Sequence, residues 1–278
     1  MTDASPPLAG VIGWPIGHSR SPRLHGHWLA RYGVDGYYVP LGVRPADFEA
    51  ALAALPRLGF RGVNVTIPFK EQALALAGGV SDRAALIGAA NTLTFGVGGA
   101  IHADNTDGYG FLQNLRQGAP GWTAAAGPAL VLGAGGASRA VISALLSDGA
   151  PELRLANRTR ARAEMLRQHF GARVVVVDWP QASEAVAGAR TIVNTTSMGM
   201  VGHADLPLRL DAASADALVT DIVYRPLLTP LLAQAQARGL RIVDGVGMLL
   251  HQAAPGFESW FGLRPEVDDA LRAAVLAE

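Results

Sequence analysis

The chain has 278 residues, of which 50% are hydrophobic and 17% charged, so it can bury a large core and is not a disordered protein. Its 23 cationic and 23 acidic side chains balance, which argues against a general phosphate-backbone binder, and the lack of cysteine excludes disulfides, thiolate catalysis and cysteine-ligated metals. No secretory signal peptide and no apolar run of roughly 20 residues is present, so we expect a cytoplasmic protein.

The first third of the chain alternates strand and helix signals. A short apolar run at 11–12 precedes a loop, and Pro22 suits the first turn of a helix that Ser21 would cap and that would end near Tyr32. The next elements predicted in chain order are a strand over 37–43, a helix over 46–58, a strand over 62–67, a helix over 69–77, a hairpin of 92–95 and 100–102, and a helix from Asp107 to about 117.

A second series of strands and helices follows a segment that is typical of a connection between domains. Residues 118–128 are rich in Gly, Ala and Pro and have no apolar period. The strands predicted after it are 129–132, 153–156, 174–177, 191–194, 218–223 and 241–243, with helices over 138–147 and 160–170. Their alternation predicts a doubly wound, six-stranded parallel sheet. Residues 246–278 are predicted to be helical, with a break at 262–265.

A glycine-rich turn stands where the first strand of this second series meets its helix. The fully apolar strand 129–132 leads directly into Gly-Ala-Gly-Gly-Ala-Ser over 133–138. Gly133 suits a tight turn, and Gly135 lets backbone N–H groups approach a pyrophosphate at the helix N-terminus. Ser138 stands where the usual pattern has a third glycine. We interpret the turn as a dinucleotide-binding site; the alternative is an unoccupied structural turn.

The end of the next strand indicates which dinucleotide is bound. An NAD site of this kind usually has an acid there, but the strand 153–156 is followed by Asn157, Arg158 and Thr159. A guanidinium suits the additional phosphate of NADP. We therefore expect Arg158 to bind that phosphate and Arg160 to lie on an ordinary solvated helix surface.

Polar residues cluster beside apolar strands in the first third of the chain. The loop 17–21 offers two serine hydroxyls, Asn64 and Thr66 share one strand face shortly before Lys70, and further polar runs occupy 91–92 and 104–107. These hydroxyls, amides, one ammonium and one carboxylate are what a small polyol acid would need. Taken singly, each has a structural alternative, because Ser21 could be a helix cap, Asn91 a turn residue and Asp107 a helix cap.

Taken together, these segments resemble the motifs of the shikimate dehydrogenase family, and they occur in the family's order. The motifs are Gly-His-Ser-Arg-Ser-Pro (17–22), Asn-Val-Thr-Ile-Pro-Phe-Lys (64–70), Gly-Ala-Ala-Asn-Thr-Leu (88–93), Asp-Asn-Thr-Asp-Gly (104–108), the glycine-rich turn (133–138), Asn-Arg-Thr (157–159), Asp-Ile-Val-Tyr-Arg-Pro (221–226) and Asp-Gly-Val-Gly-Met-Leu-Leu-His-Gln-Ala (244–253). The resemblance therefore extends almost to the C-terminus.

The resemblance implies roles for individual residues. Lys70 matches the catalytic lysine and Asp107 its carboxylate partner, which we expect chiefly to orient Lys70 and a substrate hydroxyl. The residues that match substrate ligands are Ser19, Ser21 and Tyr224 for the carboxylate, and Thr66, Asn91 and Gln252 for the ring hydroxyls. The residues that match cofactor positions are Gly133, Ala134, Gly135, Gly136, Ala137, Asn157, Arg158, Thr159, Arg162, Ile222, Gly245 and Asp82.

The family's architecture is α/β with two domains. The resemblance implies a substrate-binding domain of 1–106 plus 247–278, formed with returning C-terminal helices, a Rossmann NADP-binding domain of 107–246, and an active site in the cleft between them. The implied activity is the reversible NADPH-dependent reduction of 3-dehydroshikimate to shikimate, in aromatic amino-acid biosynthesis. We expect a small-molecule substrate and no nucleic-acid, membrane or metal partner. A homodimer is one option, because the sequence does not fix the oligomeric state.

Position 70 holds the only lysine among the 23 cationic residues. Arginine stays protonated above roughly pH 12 and cannot act as an acid, whereas burial can lower the pKa of a lysine toward neutrality. Lys70 could therefore donate a proton to the substrate oxygen, or it could be an electrostatic anchor only; the sequence leaves both open.

Two other functions are weighed against this one. The first is a quinate/shikimate dehydrogenase that uses NAD or both cofactors, although Arg158 argues against strict use of NAD. The second is a non-catalytic nucleotide or metabolite sensor on the same fold, because a fold does not prove catalysis. The presence of both Lys70 and Asp107 argues against the sensor.

Overall fold

The computed structural model describes residues 6–277, so residues 1–5 and 278 of the predicted substrate domain lie outside the described residues. The chain forms two compact units, Met1–Thr106 with Leu250–Glu278, and Asp107–Leu249. The boundary at 249/250 falls inside one long helix, three residues beyond the boundary expected from the sequence. The assignment of functions to 1–106 with 247–278 and to 107–246 stays a prediction.

The first unit is built on a mixed six-stranded sheet in the order β2-β1-β3-β5-β6-β4. β1 is parallel to β2 and β3, whereas β5 is antiparallel to β3 and β6. The strands are β1 (Leu8–Gly13), β2 (Tyr37–Gly42), β3 (Phe60–Val65), β4 (Gly79–Val80), β5 (Thr92–Phe95) and β6 (Ile101–Asp104). The helices are α1 (Ser21–Arg31), α2 (Phe48–Ala54), α3 (Lys70–Leu76), α4 (Asp82–Ile87) and α10 (Asp269–Leu276), with part of α9 (Val246–Phe261).

Strand β3 separates two kinds of environment, because successive side chains of a strand point to opposite faces. Val63 and Val65 enter an apolar cluster with the stacked rings of Phe48 and Phe69, whose centroids are 4.2 Å apart. On the opposite face, a side chain at Gly62 would collide with the Trp260 indole, since its Cβ would lie 2.1 Å from Nε1. The bare glycine therefore lets α9 pack closely against this strand.

The second unit has a parallel six-stranded sheet in the order β12-β11-β10-β7-β8-β9, as the sequence predicted. Its strands are β7 (Ala129–Leu132), β8 (Leu153–Ala156), β9 (Val174–Val177), β10 (Thr191–Asn194), β11 (Leu218–Asp221) and β12 (Arg241–Val243), and its helices are α5 (Asp107–Gly118), α6 (Gly136–Ser147), α7 (Arg160–Phe170) and α8 (Pro230–Ala237). Alternate residues of β7 enter two separate apolar clusters, which explains why this strand is apolar at every position.

Several predicted boundaries differ from the structure for local reasons. The helix expected over 46–58 divides into α2 and flanking 3₁₀ turns at Pro45–Asp47 and Leu55–Leu58. Pro56 interrupts the α-helix because it lacks the N–H donor that the preceding turn would need. β11 ends two residues early, where the Asp221 carboxylate accepts the Val223 N–H. The prediction also lacked β4, α4 and α8, although Thr229 caps α8 and Pro230 opens it.

The expectation that Ser21 caps α1 is wrong. Arg20 occupies the N-cap position and the helix begins at Ser21, whose N–H is accepted by the Ser19 hydroxyl at 3.3 Å. The hydroxyl of Ser21 therefore does not cap this helix.

Candidate active site

A buried amide network lies at the centre of the first unit. The Asn91 Oδ1 atom accepts hydrogen bonds from the Thr106 N–H at 2.8 Å and from the Thr92 hydroxyl at 2.9 Å. Its Nδ2 atom donates to Gln252 Oε1 at 3.1 Å, and the Thr106 hydroxyl donates to the Gln252 carbonyl oxygen at 2.8 Å. The network thus brings together two predicted substrate ligands, Asn91 and Gln252, that are 161 positions apart in the chain.

Lys70 is placed beside this network by the backbone. It is the first residue of α3, is half-buried, and its carbonyl oxygen accepts the Ala90 N–H at 2.9 Å. Phe69, immediately before it, is buried against Phe48 and so fixes the start of the helix. The only lysine side chain is therefore anchored, through its own backbone, to the residue next to Asn91.

Asp107 follows the network in the chain. Thr106, which bonds to both Asn91 and Gln252, fixes the backbone immediately before it. Asp107 begins α5 and is only 8% exposed. The backbone of Asp107 is therefore positioned by the buried network that precedes it in the chain.

The two predicted carboxylate-binding serines lie on the loop that leads into α1. Ser19 is half-buried and Ser21 is buried. Arg20, between them, donates to the carbonyl oxygen of Val275 near the end of α10. A cation suits the unpaired carbonyls at a helix C-terminus, so this contact ties the serine loop to the C-terminal helix.

Thr66 lies just beyond the end of β3, on the same segment as Lys70. Its N–H donates to the Ile12 carbonyl oxygen at 3.0 Å, and its half-buried side chain lies over Gly13, where an added Cβ would meet the Thr66 Cγ2 at 2.4 Å. Gly13 therefore leaves the room that the Thr66 side chain occupies.

The glycine-rich turn of the second unit has the geometry that a dinucleotide needs. Gly133 has φ +111°, which disfavours other residues, and an added Cβ would lie 2.7 Å from the Thr195 hydroxyl. At Gly135 and Gly136 an added Cβ would meet nothing within 4 Å, so the N-terminus of α6 faces open space. Ser138 is buried and donates to the Gly135 carbonyl oxygen at 2.6 Å, which shows how a serine replaces the usual third glycine.

The cationic residues after β8 differ in their contacts. The Arg160 guanidinium binds Asp178 at 2.5 Å and Glu164 at 2.9 Å, which confirms the expectation that it lies on an ordinary helix surface. Arg158, Thr159 and Arg162 are exposed. Asn157 links this segment to the glycine-rich turn, because its Oδ1 accepts the Ala134 N–H at 3.1 Å and its Nδ2 donates to the Thr159 carbonyl oxygen at 2.8 Å.

The buried carboxylate of Asp221 lies at the carboxyl end of β11, in the same sheet. The sequence did not identify it as a site residue. Asp221 is 1% exposed and accepts from Asn194 Nδ2 at 3.1 Å, the Val223 N–H at 2.9 Å and the Thr229 hydroxyl at 2.8 Å. None of these donors carries a charge, and burial raises the pKa of Asp221 while the hydrogen bonds oppose the rise. Polar residues at the ends of two neighbouring buried parallel strands were the available signal.

The Asp221 bonds fix the turn that carries two predicted site residues, Ile222 and Tyr224, both half-buried. Gly245 packs against this turn, since its added Cβ would lie 2.5 Å from the Ile222 carbonyl oxygen. Any larger residue at 245 would push the turn away. Asp82 is separate from these residues: it is exposed and begins α4 in the first unit.

Metal-binding clusters and membrane-spanning helices are both absent from the part of the chain that the structure describes. Within residues 6–277, no group of three or more His, Asp or Glu side chains is arranged to hold a metal ion. None of the helices in that range is both long enough and apolar enough to cross a membrane.

Three family models match successive parts of the chain. Residues 11–93 match the shikimate dehydrogenase substrate binding domain, residues 122–220 match the shikimate / quinate 5-dehydrogenase model, and residues 245–275 match the shikimate 5'-dehydrogenase C-terminal domain.

Individual relatives match over the whole length. The shikimate dehydrogenase (NADP(+)) of Dinoroseobacter shibae is 66% identical over 278 residues, which are 100% of each chain. The quinate dehydrogenase of Corynebacterium glutamicum, solved in complex with NAD, has a TM-score of 0.90 at 33% identity and covers 98% of this chain and 99% of its own. The shikimate 5-dehydrogenase of Thermus thermophilus, solved with NADP(H) and shikimate, has a TM-score of 0.86 at 39% identity, with 98% of each chain covered.

We predict that Asp221→Asn changes how stability depends on pH. Because burial raises the folded-state pKa of Asp221, its contribution to stability is fully present below the unfolded pKa of about 4 and is lost as the pH rises through the folded pKa. The unfolding free energy of the wild type, minus that of the variant, should therefore fall as the pH rises from about 4 toward neutrality. Urea unfolding at several pH values measures this difference.

The exposed Asp205→Asn variant is the control for loss of a carboxylate. A difference between wild type and Asp221→Asn that grows as the pH rises would contradict the prediction, because that is the behaviour of a carboxylate whose folded-state pKa is lowered.

Proposed function

Because the chain belongs to the shikimate dehydrogenase family, we propose that it catalyses the reversible, NADPH-dependent reduction of 3-dehydroshikimate to shikimate, a step of aromatic amino-acid biosynthesis. The observation that carries this proposal is the Asn91 network, which gathers amide and hydroxyl groups beside the segment that anchors Lys70. This set of groups suits a ring that bears several hydroxyls and a reducible carbonyl.

We propose that 1–106 with 247–278 forms the substrate-binding domain and 107–246 the NADP-binding domain. The first holds the serine loop, Lys70 and the Asn91 network, and the second holds the glycine-rich turn and Arg158. Because the substrate is a small soluble molecule, and because the cysteine-free chain needs no oxidising compartment, we place the enzyme in the cytoplasm.

The residues at the carboxyl ends of the strands in the second unit fit NADP. The open N-terminus of α6 supplies backbone N–H groups for the pyrophosphate, and Asn157 holds the turn and the following strand end together. The guanidinium groups of Arg158 and Arg162, with Thr159, supply donors for the 2′-phosphate. The remaining proposed cofactor residues are Gly133, Ala134, Gly135, Gly136, Ala137, Ile222, Gly245 and, from the first unit, Asp82.

The reaction needs an acid at the substrate oxygen. When bound, NADPH supplies the hydride that reduces the C3 carbonyl carbon. The Lys70 ammonium stabilises the negative charge that develops on the carbonyl oxygen and donates a proton to it, giving the hydroxyl; in the reverse direction the neutral amine takes that proton back.

Binding the substrate requires groups at both ends of the ring. We propose that Ser19, Ser21 and Tyr224 hold the carboxylate, and that Thr66, Asn91 and Gln252 bind the ring hydroxyls. Asp107 accepts a hydrogen bond from a further hydroxyl, and the carboxylate suits this role because it is an acceptor only when ionised.

A quinate dehydrogenase is the second candidate, because the solved quinate enzyme of Corynebacterium glutamicum is similar over nearly the whole chain. Initial rates with shikimate and quinate, each with NADP and NAD, separate the two. We expect shikimate with NADP to give the highest kcat/KM. A higher value with quinate would support the second candidate, and no turnover of either substrate despite NADPH binding would support a sensor instead.

Lys70→Arg should lose most of the turnover, while the KM for shikimate changes less. The guanidinium keeps the positive charge but cannot give up its proton. Steady-state kinetics of this variant and of Lys70→Met, which lacks the charge as well, measure the two contributions. Similarly slow variants indicate proton donation by Lys70, whereas near-wild-type kcat in Lys70→Arg would show that only its charge matters.

Arg158→Ala should weaken NADPH binding roughly 10- to 100-fold, the range expected for a lost hydrogen bond to a charged group, and should leave NADH binding nearly unchanged. Both affinities are measured by adding the cofactor stepwise and following the fluorescence of the protein and of the nicotinamide. Arg160→Ala is the matched control, because that guanidinium is already bound to Asp178 and Glu164. Equal losses for NADPH and NADH would show that Arg158 does not bind the 2′-phosphate.

A further inference from the structure

Tyr38 lies beneath the amide network without being part of any motif that indicated the function. It is buried on β2, and its hydroxyl donates to Asn64 Oδ1 at 2.7 Å. We propose that Tyr38 is a positioning residue, whose hydroxyl fixes the direction of the hydrogen bonds that present Asn91 and Gln252 to the substrate. This inference rests on the proposed function of that network.

The direction of the network depends on which end of the Asn64 amide faces which neighbour. Asn64 Nδ2 donates to the Asn91 carbonyl oxygen and to the Thr92 hydroxyl, both at 3.2 Å. A carbonyl oxygen can only accept, so the nitrogen must face it. The Tyr38 hydroxyl donates to the Asn64 oxygen on the other side, so it stabilises the orientation that the Asn91 carbonyl requires.

The hydrogen-bond directions set at Asn64 extend to Asn91 and Gln252, which are the proposed substrate ligands. Because the Thr92 hydroxyl accepts from Asn64, its own proton is left for Asn91 Oδ1, to which it donates at 2.9 Å. The Thr106 N–H donates to the same oxygen at 2.8 Å, and these two donors leave the Asn91 Nδ2 pointing toward Gln252. The Tyr38 hydroxyl thus acts at the first of three side chains that are joined by hydrogen bonds, and the Asn91 carbonyl and the Thr106 N–H support the same orientations.

The Tyr38 ring is held rigidly enough to act in this way. It stacks on the His25 ring with centroids 3.8 Å apart and planes 6° from parallel, and the Trp260 ring lies 6.1 Å away. Trp260 is itself fixed by a hydrogen bond to the Leu93 carbonyl oxygen at 3.1 Å. The packing of these rings therefore holds the Tyr38 hydroxyl in position beside Asn64.

The surroundings also keep the tyrosine in its donor form. Burial raises the pKa of Tyr38 well above its ordinary value, with a hydrogen bond to the Ser21 side chain opposing the rise. Burial also lowers the pKa of His25 to about 3, opposed by the Asn64 side chain, so the stacked imidazole is neutral. No charge from either ring therefore competes with the hydrogen bonds.

Tyr38→Phe tests the inference, because it removes only the hydroxyl. The KM for shikimate should rise roughly fivefold, the size of one net hydrogen bond, while kcat changes by less than roughly twofold and the NADPH dissociation constant stays unchanged. Tyr37→Phe is the matched control, since Tyr37 is the neighbouring residue on the same strand and is 56% exposed. An unchanged KM in Tyr38→Phe, or a rise equal to that of Tyr37→Phe, would overturn the inference.

A double-mutant cycle shows whether the hydroxyl acts through Asn64. In an Asn64→Ala background, Tyr38→Phe should add no further change in KM, and an additive change would overturn the proposed route. If Tyr38→Phe does not fold, Thr92→Val removes the next hydroxyl of the same chain and should also raise the KM for shikimate; no rise would overturn the inference. Absence of shikimate turnover in the wild type would instead contradict the proposed function itself.

Discussion

The first unit depends on one buried side chain, Asn91, whose amide links the first 106 residues of the chain to helix α9 near its C-terminal end. Its oxygen accepts from Thr106 and Thr92, and its nitrogen donates to Gln252. Leaving such a group unpaired in the interior would cost about 1–3 kcal/mol, so each partner is held in place by the others. The same bonds that satisfy the buried amide also set the orientation of polar groups that we assign to substrate binding, which unites stability and function in one network.

The second unit also contains a buried polar side chain that holds a turn in place, in this case the carboxylate of Asp221. Asp221 collects donors from the ends of β10, β11 and the start of α8, none of which carries a charge. A buried carboxylate without a cation costs stability, because burial disfavours its ionised form. What it provides is a fixed turn at the sheet edge where the proposed cofactor residues Ile222 and Gly245 meet. In both units, therefore, one buried polar side chain, Asn91 or Asp221, holds loops at the ends of the strands.

Two neighbouring arginines differ in their partners in the folded chain. Arg158 and Arg160 are two residues apart after the same strand, and residue type does not distinguish them. The absence of an acid after β8 indicated NADP, because a guanidinium suits a phosphate. Both are exposed, and only the folded chain shows that Arg160 binds two carboxylates. The partners of Arg160 include Asp178, which lies 18 positions away at the end of the next strand.

The sequence alone determined the parallel sheet of the second unit, the glycine-rich turn and the family, because apolar periods, glycines and short motifs are local properties of the chain. Strands β7, β8, β9, β10 and β12 begin and end where their apolar runs predict. The sequence did not reveal Tyr38, Asn64 or Asp221 as parts of these networks, nor that the Ser19 hydroxyl rather than that of Ser21 bonds to the backbone where α1 begins. Most of those roles depend on hydrogen bonds between residues far apart in the chain. The partner of a buried polar group is decided only when tertiary packing removes water and leaves few acceptors within reach of each donor.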